Sequence, residues 1–242
     1  MPEARPKIRL HVDGSLAAGA AIPLSRAQSH YLGHVMRCRP GDGIALFNGR
    51  DGEWRATIRS VAKSGAEAKV EACLRPPADE PGPWLLFAPV KRAPLELTIE
   101  KATELGVERL QPVLTRRTVV GRLNAQRLAA IGIEAAEQCG RLTVPVLNPP
   151  CPLGDVAKAW PADRTLIFAD EAGAPPLATV VAGIAGPQAL LVGPEGGFEA
   201  EERAFLRGLG FVRPASLGPL ILRAETAAIA GLAVLRALAD SR

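Results

Sequence analysis

Four stretches in the last two thirds of the chain, residues 84–90, 110–114, 165–169 and 189–192, are apolar at nearly every position rather than at every second one. A strand of that kind is apolar on both faces and needs cover above and below, which a parallel sheet layered between helices provides. Helical patterns fall between the stretches as that arrangement requires. Pro94 stands in the first turn of a helix that carries Leu95, Ile99, Ala102 and Leu105 at helical spacing and stops at Gly106. Asn124 caps a long Ala/Leu/Ile helix that ends at Gly140, further helices are expected near 176–184 and 199–209, and a last one spans 224–239. Shorter strands are expected at 144–147 and 212–217. The fold class is therefore α/β, and ligands of such sheets bind beyond the carboxyl ends of the strands.

Residues 75–83 hold four prolines and a glycine, which forbids regular structure and marks a linker. The expected division is a β-rich domain over 1–75, a Pro-rich linker over 76–83 and the α/β domain over 84–242. In the first domain a strand is expected at 7–12. Ser25 with Gln28 forms a capping-box pattern opening a helix that runs to about Arg37, and strands follow at 44–47, 53–58 and 66–74. Residues 1–75 carry 12 Lys/Arg against 7 Asp/Glu, whereas the remainder carries 17 against 18. The basic excess is N-terminal and suits a polyanionic partner for that domain.

The sequence has no apolar run of membrane-spanning length, and the charged opening has no apolar signal core behind it, so a cytoplasmic protein with no membrane association is expected. Cys38, Cys73, Cys139 and Cys151 are widely spaced, which suits reduced thiols better than a disulfide framework. His30, His34 and Cys38 recur at i, i+4 and i+8 but lack a fourth ligand, so no metal is expected.

Two Gly/Pro loops carry the chemistry. The run from Leu191 continues as Val192-Gly193-Pro194-Glu195-Gly196-Gly197-Phe198, and Leu217-Gly218-Pro219-Leu220-Ile221-Leu222-Arg223-Ala224-Glu225-Thr226-Ala227 follows the next strand. Such loops let a flat ligand lie directly against main chain. The first loop lacks the Lys-Ser/Thr of a phosphate-binding loop and the glycine spacing of a dinucleotide fingerprint, and Glu195 at its centre would repel phosphate. A carboxylate among glycines suits a neutral or cationic ligand such as S-adenosylmethionine, which bears a sulfonium; the alternative role for Glu195 is to cap the following helix.

These loops closely resemble the signature segments of the SPOUT-class 16S ribosomal RNA uridine N3-methyltransferases. The likeness extends to Lys91, Lys101-Ala102-Thr103-Glu104-Leu105-Gly106-Val107, Glu134-Ala135-Ala136-Glu137-Gln138-Cys139-Gly140-Arg141 with Val144-Pro145, and His34-Val35-Met36-Arg37 with Pro40-Gly41-Asp42. It departs at His11, where an aromatic residue is typical, and at Leu220, which replaces a common basic residue. The resemblance implies a PUA-like RNA-binding first domain, a C-terminal domain with a deep trefoil knot, and a homodimer joined through the knots. It implies S-adenosylmethionine as cofactor, and 16S ribosomal RNA or the assembled small ribosomal subunit as partner.

Carried onto matching positions, the resemblance puts Leu191, Gly193, Gly196, Gly197, Leu217, Gly218 and Leu222 at the cofactor and makes Arg223 and Glu195 the candidates for catalysis. N3 of uracil must lose a proton as it attacks the methyl group, and Arg223 would stabilise the resulting anion. Candidate RNA contacts are His34, Arg37, Arg39, Lys91, Arg116 and Arg117. Two rival functions remain at this point: a methyltransferase of the same class acting on another RNA, and a non-catalytic RNA-binding assembly factor.

Overall fold

The structure is a computed structural model and describes residues 6–62, 65–119 and 123–239. The charged opening of the chain, residues 1–5, lies outside the described residues. The chain divides into two compact units, Met1–Glu80 with Ala136–Val144, and Pro81–Ala135 with Pro145–Arg242.

In the first unit, β1 (Arg9–His11), β2 (Ala21–Leu24), β3 (Gly43–Phe47), β4 (Glu53–Ala62) and β5 (Gly65–Arg75) form one sheet in the order β1-β3-β4-β5-β2. Only β1 and β3 run parallel; the other pairs are antiparallel. Helix α1 (Arg26–His30) opens with the expected capping box, in which Ser25 Oγ accepts from Gln28 N and Gln28 Oε1 accepts from Ser25 N. The helix does not continue regularly. It widens into a π-turn over Tyr31–Val35 and stops at Arg37, whose φ of 55° is left-handed. Leu10, Ile22, Leu32, Ile44, Leu46, Ile58 and Val70 make the core of this unit.

A buried charge organises the same unit. Glu53 is fully buried and pairs with Arg9 (Nε–Oε1 2.9 Å) and with Arg75. Isolating a carboxylate from water costs several kcal/mol, and two guanidinium groups offset that cost only by spending their remaining donors well. They spend them on the end of helix α3 (Ala125–Cys139) and the residues after it. Arg9 donates to the carbonyls of Ala136, Glu137 and Arg141 at 2.7–2.8 Å, and Arg75 donates to Gly140 O at 2.8 Å. Carbonyls at a helix C-terminus lack partners within the helix and carry negative partial charge, so cations satisfy both needs.

In the second unit, β6 (Trp84–Phe87), β7 (Arg109–Leu114), β8 (Val146–Leu147), β10 (Thr165–Ala169), β11 (Gln188–Val192) and β12 (Val212–Ala215) form a parallel sheet ordered β12-β10-β11-β6-β7-β8. The two-residue strand β9 (Cys151–Pro152) pairs with the end of β7. Alternate strand residues enter two different cores, which is why the runs are apolar throughout. Leu85, Phe87, Ile167, Leu190 and Val192 pack with side chains of α2 (Arg92–Glu104), α3, α5 (Leu177–Ala182) and α7 (Ala224–Ala239). Leu86, Leu166, Phe168 and Leu191 pack with Leu153 of α4 (Leu153–Lys158) and Leu206 of α6 (Ala200–Gly208). The ends of α2 and α3 follow the expected signals. Gly106 takes a φ of 83° directly after α2, and Asn124 Oδ1 accepts from Arg127 N at the start of α3.

The segment after α3 is held by Glu80. Burial pushes its carboxyl upward, but hydrogen bonds from Leu142 N, Thr143 Oγ1 and Thr143 N, with the charge of Arg141, hold it below the ordinary value. A depressed carboxyl adds stability above its unfolded pKa and loses it as pH falls through the folded one. Glu80→Gln is expected to destabilise the protein by about 1–2 kcal/mol at pH 7. Urea unfolding should show the gap from wild type closing below about pH 4; a gap that stays constant into acid would refute this role.

Candidate functional site

Because β10, β11 and β12 are parallel and adjacent, their carboxyl ends open on one edge of the sheet, and a pocket lies there. Strand β10 contributes Phe168 and Ala169, the residues directly after it contribute Asp170 and Glu171, and the loop after β11 contributes Gly193, Pro194, Gly197 and Phe198. The loop after β12 contributes Ser216 to Gly218 and Leu220 to Leu222, while Ala224 and Ala227 of α7 and Arg203 of α6 complete the wall.

Packing accounts for Gly193, and backbone conformation for Gly197 and Gly218. A Cβ on Gly193 would stand 2.6 Å from Cε2 of Phe198, whose buried ring meets Phe168 edge-on at 5.0 Å. Gly197 has a φ of 68° and Gly218 one of 119°, both in the left-handed region. Gly218 N donates to Ser216 Oγ at 3.2 Å, which tightens the turn out of β12. Outside the pocket, Arg117 clamps the first loop. It donates from Nη1 to Gly196 O at 2.5 Å and from Nε to Glu199 at 2.7 Å. That hydrogen bond, and then the charge of Arg117, hold the Glu199 carboxyl below its ordinary value.

Of the residues matched to the cofactor, Gly193, Gly197, Leu217, Gly218 and Leu222 line the pocket. Leu191 is fully buried within the sheet and supports the loop from below, and Gly196 is exposed, facing Arg117 rather than the pocket. The two catalytic candidates, Glu195 and Arg223, are exposed and flank the lining instead of belonging to it. Arg223 stands at the start of α7, its carbonyl accepting from Ala227 N. Sequence reasoning missed Asp170, Glu171 and Arg203. The rule that ligands sit beyond strand carboxyl ends would have reached the first two, because they directly follow the strand at 165–169.

The candidate RNA contacts are divided between the units. His34 stacks on His30 with ring centroids 4.7 Å apart, and both line a cleft of about 550 Å³ with Arg26, Ser29, Cys38 and Arg39 in the first unit. Arg37 is exposed at the left-handed residue ending the π-turn. In the second unit Lys91 caps α2 and is exposed, Arg116 pairs with Glu201, and Arg117 is engaged as described. Among the described residues, no group of three or more His, Cys, Asp or Glu side chains is placed to hold a metal ion, and no helix is long and apolar enough to cross a membrane.

A parallel sheet with a Gly-rich pocket at its carboxyl edge, preceded by a small β-sheet unit, defines a two-part α/β protein with a candidate small-ligand site. The comparisons with known proteins make that specific. Residues 80–236 match the RNA methyltransferase domain family and residues 24–71 the RNA methyltransferase PUA domain. A curated relative in Rickettsia conorii, ribosomal RNA small subunit methyltransferase E, is 33% identical over 95% of each chain. The crystal structure of the protein of that name from Neisseria gonorrhoeae, bound to S-adenosylmethionine, is 28% identical with a TM-score of 0.85, covering 96% of this chain and 97% of its own. A putative methyltransferase from Legionella pneumophila, in complex with the same cofactor, is 32% identical with a TM-score of 0.84 over 97% and 98% of the two chains. The chain belongs to the ribosomal RNA small subunit methyltransferase E family.

The pocket's packing can be tested directly. Gly193→Ala must displace the buried Phe198 ring and is expected to cost about 1–3 kcal/mol. Gly196→Ala would place its Cβ at an ordinary 3.4 Å from Cδ of Arg117 and should cost under about 1 kcal/mol. Equal midpoints in urea unfolding for the two variants would refute the packing described.

Proposed function

We propose that the protein transfers the methyl group of S-adenosylmethionine to N3 of a uridine in 16S ribosomal RNA, acting in the cytoplasm as a homodimer. The observation that carries the cofactor part is the pocket itself. The walls that the loops after β11 and β12 supply are uncharged and rich in glycine and apolar side chains, which suits a flat, phosphate-free nucleoside, and close structural neighbours bind S-adenosylmethionine. Gly193, Gly197, Leu217, Gly218 and Leu222 would hold the cofactor, with Leu191 and the Arg117–Gly196 contact keeping the first loop in place. Bound S-adenosylmethionine supplies a methyl group on a sulfonium, which is open to in-line attack.

The chain's own groups must orient the base and stabilise the charge that N3 acquires as its proton leaves. Arg223 is the cation proposed for that task, since it follows Leu222 of the pocket wall and precedes Ala224. Glu195, at the tip of the other loop, is proposed to orient the base. The RNA would be gripped by His34, Arg37 and Arg39 in the first unit and by Lys91, Arg116 and Arg117 in the second, through phosphate contacts that position without reading sequence.

Two further parts of the reading have support of their own. Leu220 is 77% and Ile221 87% exposed beside the pocket, large apolar side chains that a second copy of the chain would cover. A deep trefoil knot in the second unit accords with a strand order in which β11 lies between β6 and β10.

Labelled S-adenosylmethionine incubated with small ribosomal subunits and with naked 16S RNA, followed by nucleoside mass spectrometry, tests the reading. Label is expected in 3-methyluridine; label in any other nucleoside would overturn the target. Arg223→Ala is expected to lower kcat by about a hundredfold or more, while cofactor affinity stays within about twofold of wild type. Near-normal turnover in that variant would remove Arg223 from the mechanism.

A further inference from the structure

The pocket has two chemically different ends. Around Leu217, Gly218, Leu222 and Ala227 it is uncharged, whereas the end of β10 brings Asp170 and Glu171 together with Arg203 of α6. Asp170 is fully buried. Its Oδ2 accepts from Arg207 Nη2 at 2.7 Å and Nε at 2.9 Å, and its Oδ1 accepts from Ala172 N at 3.0 Å. Arg207 therefore already fastens α6 to the end of β10.

Arg203 adds little to that fastening. Its Nε lies 3.3 Å from Asp170 Oδ1 and its Nη2 lies 3.4 Å from Glu171 Oε1, both long contacts. The Nε group is buried and has no hydrogen-bond partner among the described residues. A buried guanidinium N–H left unmade is costly, while the side chain as a whole stays 24% exposed and lines the pocket. Two carboxylates and two guanidinium groups sum to no net charge, so the end is polar and dipolar rather than basic or acidic.

We infer that Arg203 and Glu171 form the subsite for the α-amino-acid tail of S-adenosylmethionine, Arg203 taking the carboxylate and Glu171 the ammonium. The inference rests on the cofactor reading above. A zwitterion matches a neutral pair of opposite charges, and the long contacts of Arg203 to Asp170 and Glu171 leave the exposed part of its guanidinium with donors for a carboxylate. Asp170 acts as a positioning residue that holds Arg203 by charge while its own lone pairs are satisfied by Arg207 and Ala172.

The experiment compares, by calorimetry, S-adenosylhomocysteine, which carries the tail, with 5′-methylthioadenosine, which lacks it. Wild type is expected to hold the first at least about tenfold more tightly. Arg203→Gln should lose about that factor for S-adenosylhomocysteine while binding methylthioadenosine within about twofold of wild type, and Arg203→Lys should recover part of the loss. Equal losses on both ligands, or no loss on either, would overturn the subsite. The wild-type arm stands whether or not the variants fold: equal affinity for the two ligands overturns the subsite alone, and binding of neither overturns the cofactor reading with it.

Discussion

The contact on which the site depends is the approach of α7 to the central strand β11 at Gly231. A Cβ there would stand 2.6 Å from Cδ2 of Leu190, which is wholly buried, so the helix lies as near the sheet as a main chain can. Ala227, Ala228, Leu232 and Leu235 continue the buried stripe on either side. Closeness has a consequence at the helix start. Ala224 and Ala227 form part of the pocket wall, and the loop from β12 ends in the residue before α7. The packing of small residues against β11 thus sets where the second loop stands relative to the first.

The first loop is restrained by different means. Phe198 fills the space beneath Gly193, and Arg117 holds Gly196 and Glu199 from outside. The apolar contact dominates in energy: burying an aromatic side chain contributes about 1.5–3 kcal/mol, while an exposed ion pair such as Arg117–Glu199 contributes about 0–1 kcal/mol. Arg117 nevertheless fixes the direction of a carbonyl that would otherwise rotate with the loop. A group proposed to meet RNA phosphate is thereby also a strut of the pocket, so its replacement would disturb two functions together.

Much of this was legible because single strands and helices announce themselves locally. The apolar runs predicted strands with two buried faces, and Leu85/Leu86 and Leu190/Leu191 do divide between two cores. Strand β2 escaped notice because Pro23 interrupts it; proline is tolerated there since β2 is the edge strand, paired on one side only with β5. The short β9 and α4 carry too few residues for a period to emerge. The helix expected to run regularly from Ser25 to Arg37 instead widens at Tyr31, a change of hydrogen-bond partner that spacing does not encode. The place of Arg203 at the charged end of the pocket was beyond reach for a different reason: Asp170 and Arg203 are separated by α5, β11 and the loop after it and meet only through the order β12-β10-β11.

The exposure of Arg223 and Glu195 bears on how the proposed chemistry could work. A cation acting on a developing anion about 4 Å away contributes about 1 kcal/mol in bulk water but about 4 kcal/mol at the effective dielectric of a partly closed protein surface. In the described chain both side chains stand in solvent beside the exposed Leu220 and Ile221. On the proposed reading, the apolar pair must be covered before Arg223 can stabilise N3 strongly, whether by a second copy of the chain or by the RNA. Cofactor binding and catalysis then have different requirements. The pocket lining described above comes from one chain, while on that reading the electrostatic environment of Arg223 is completed by what closes over it.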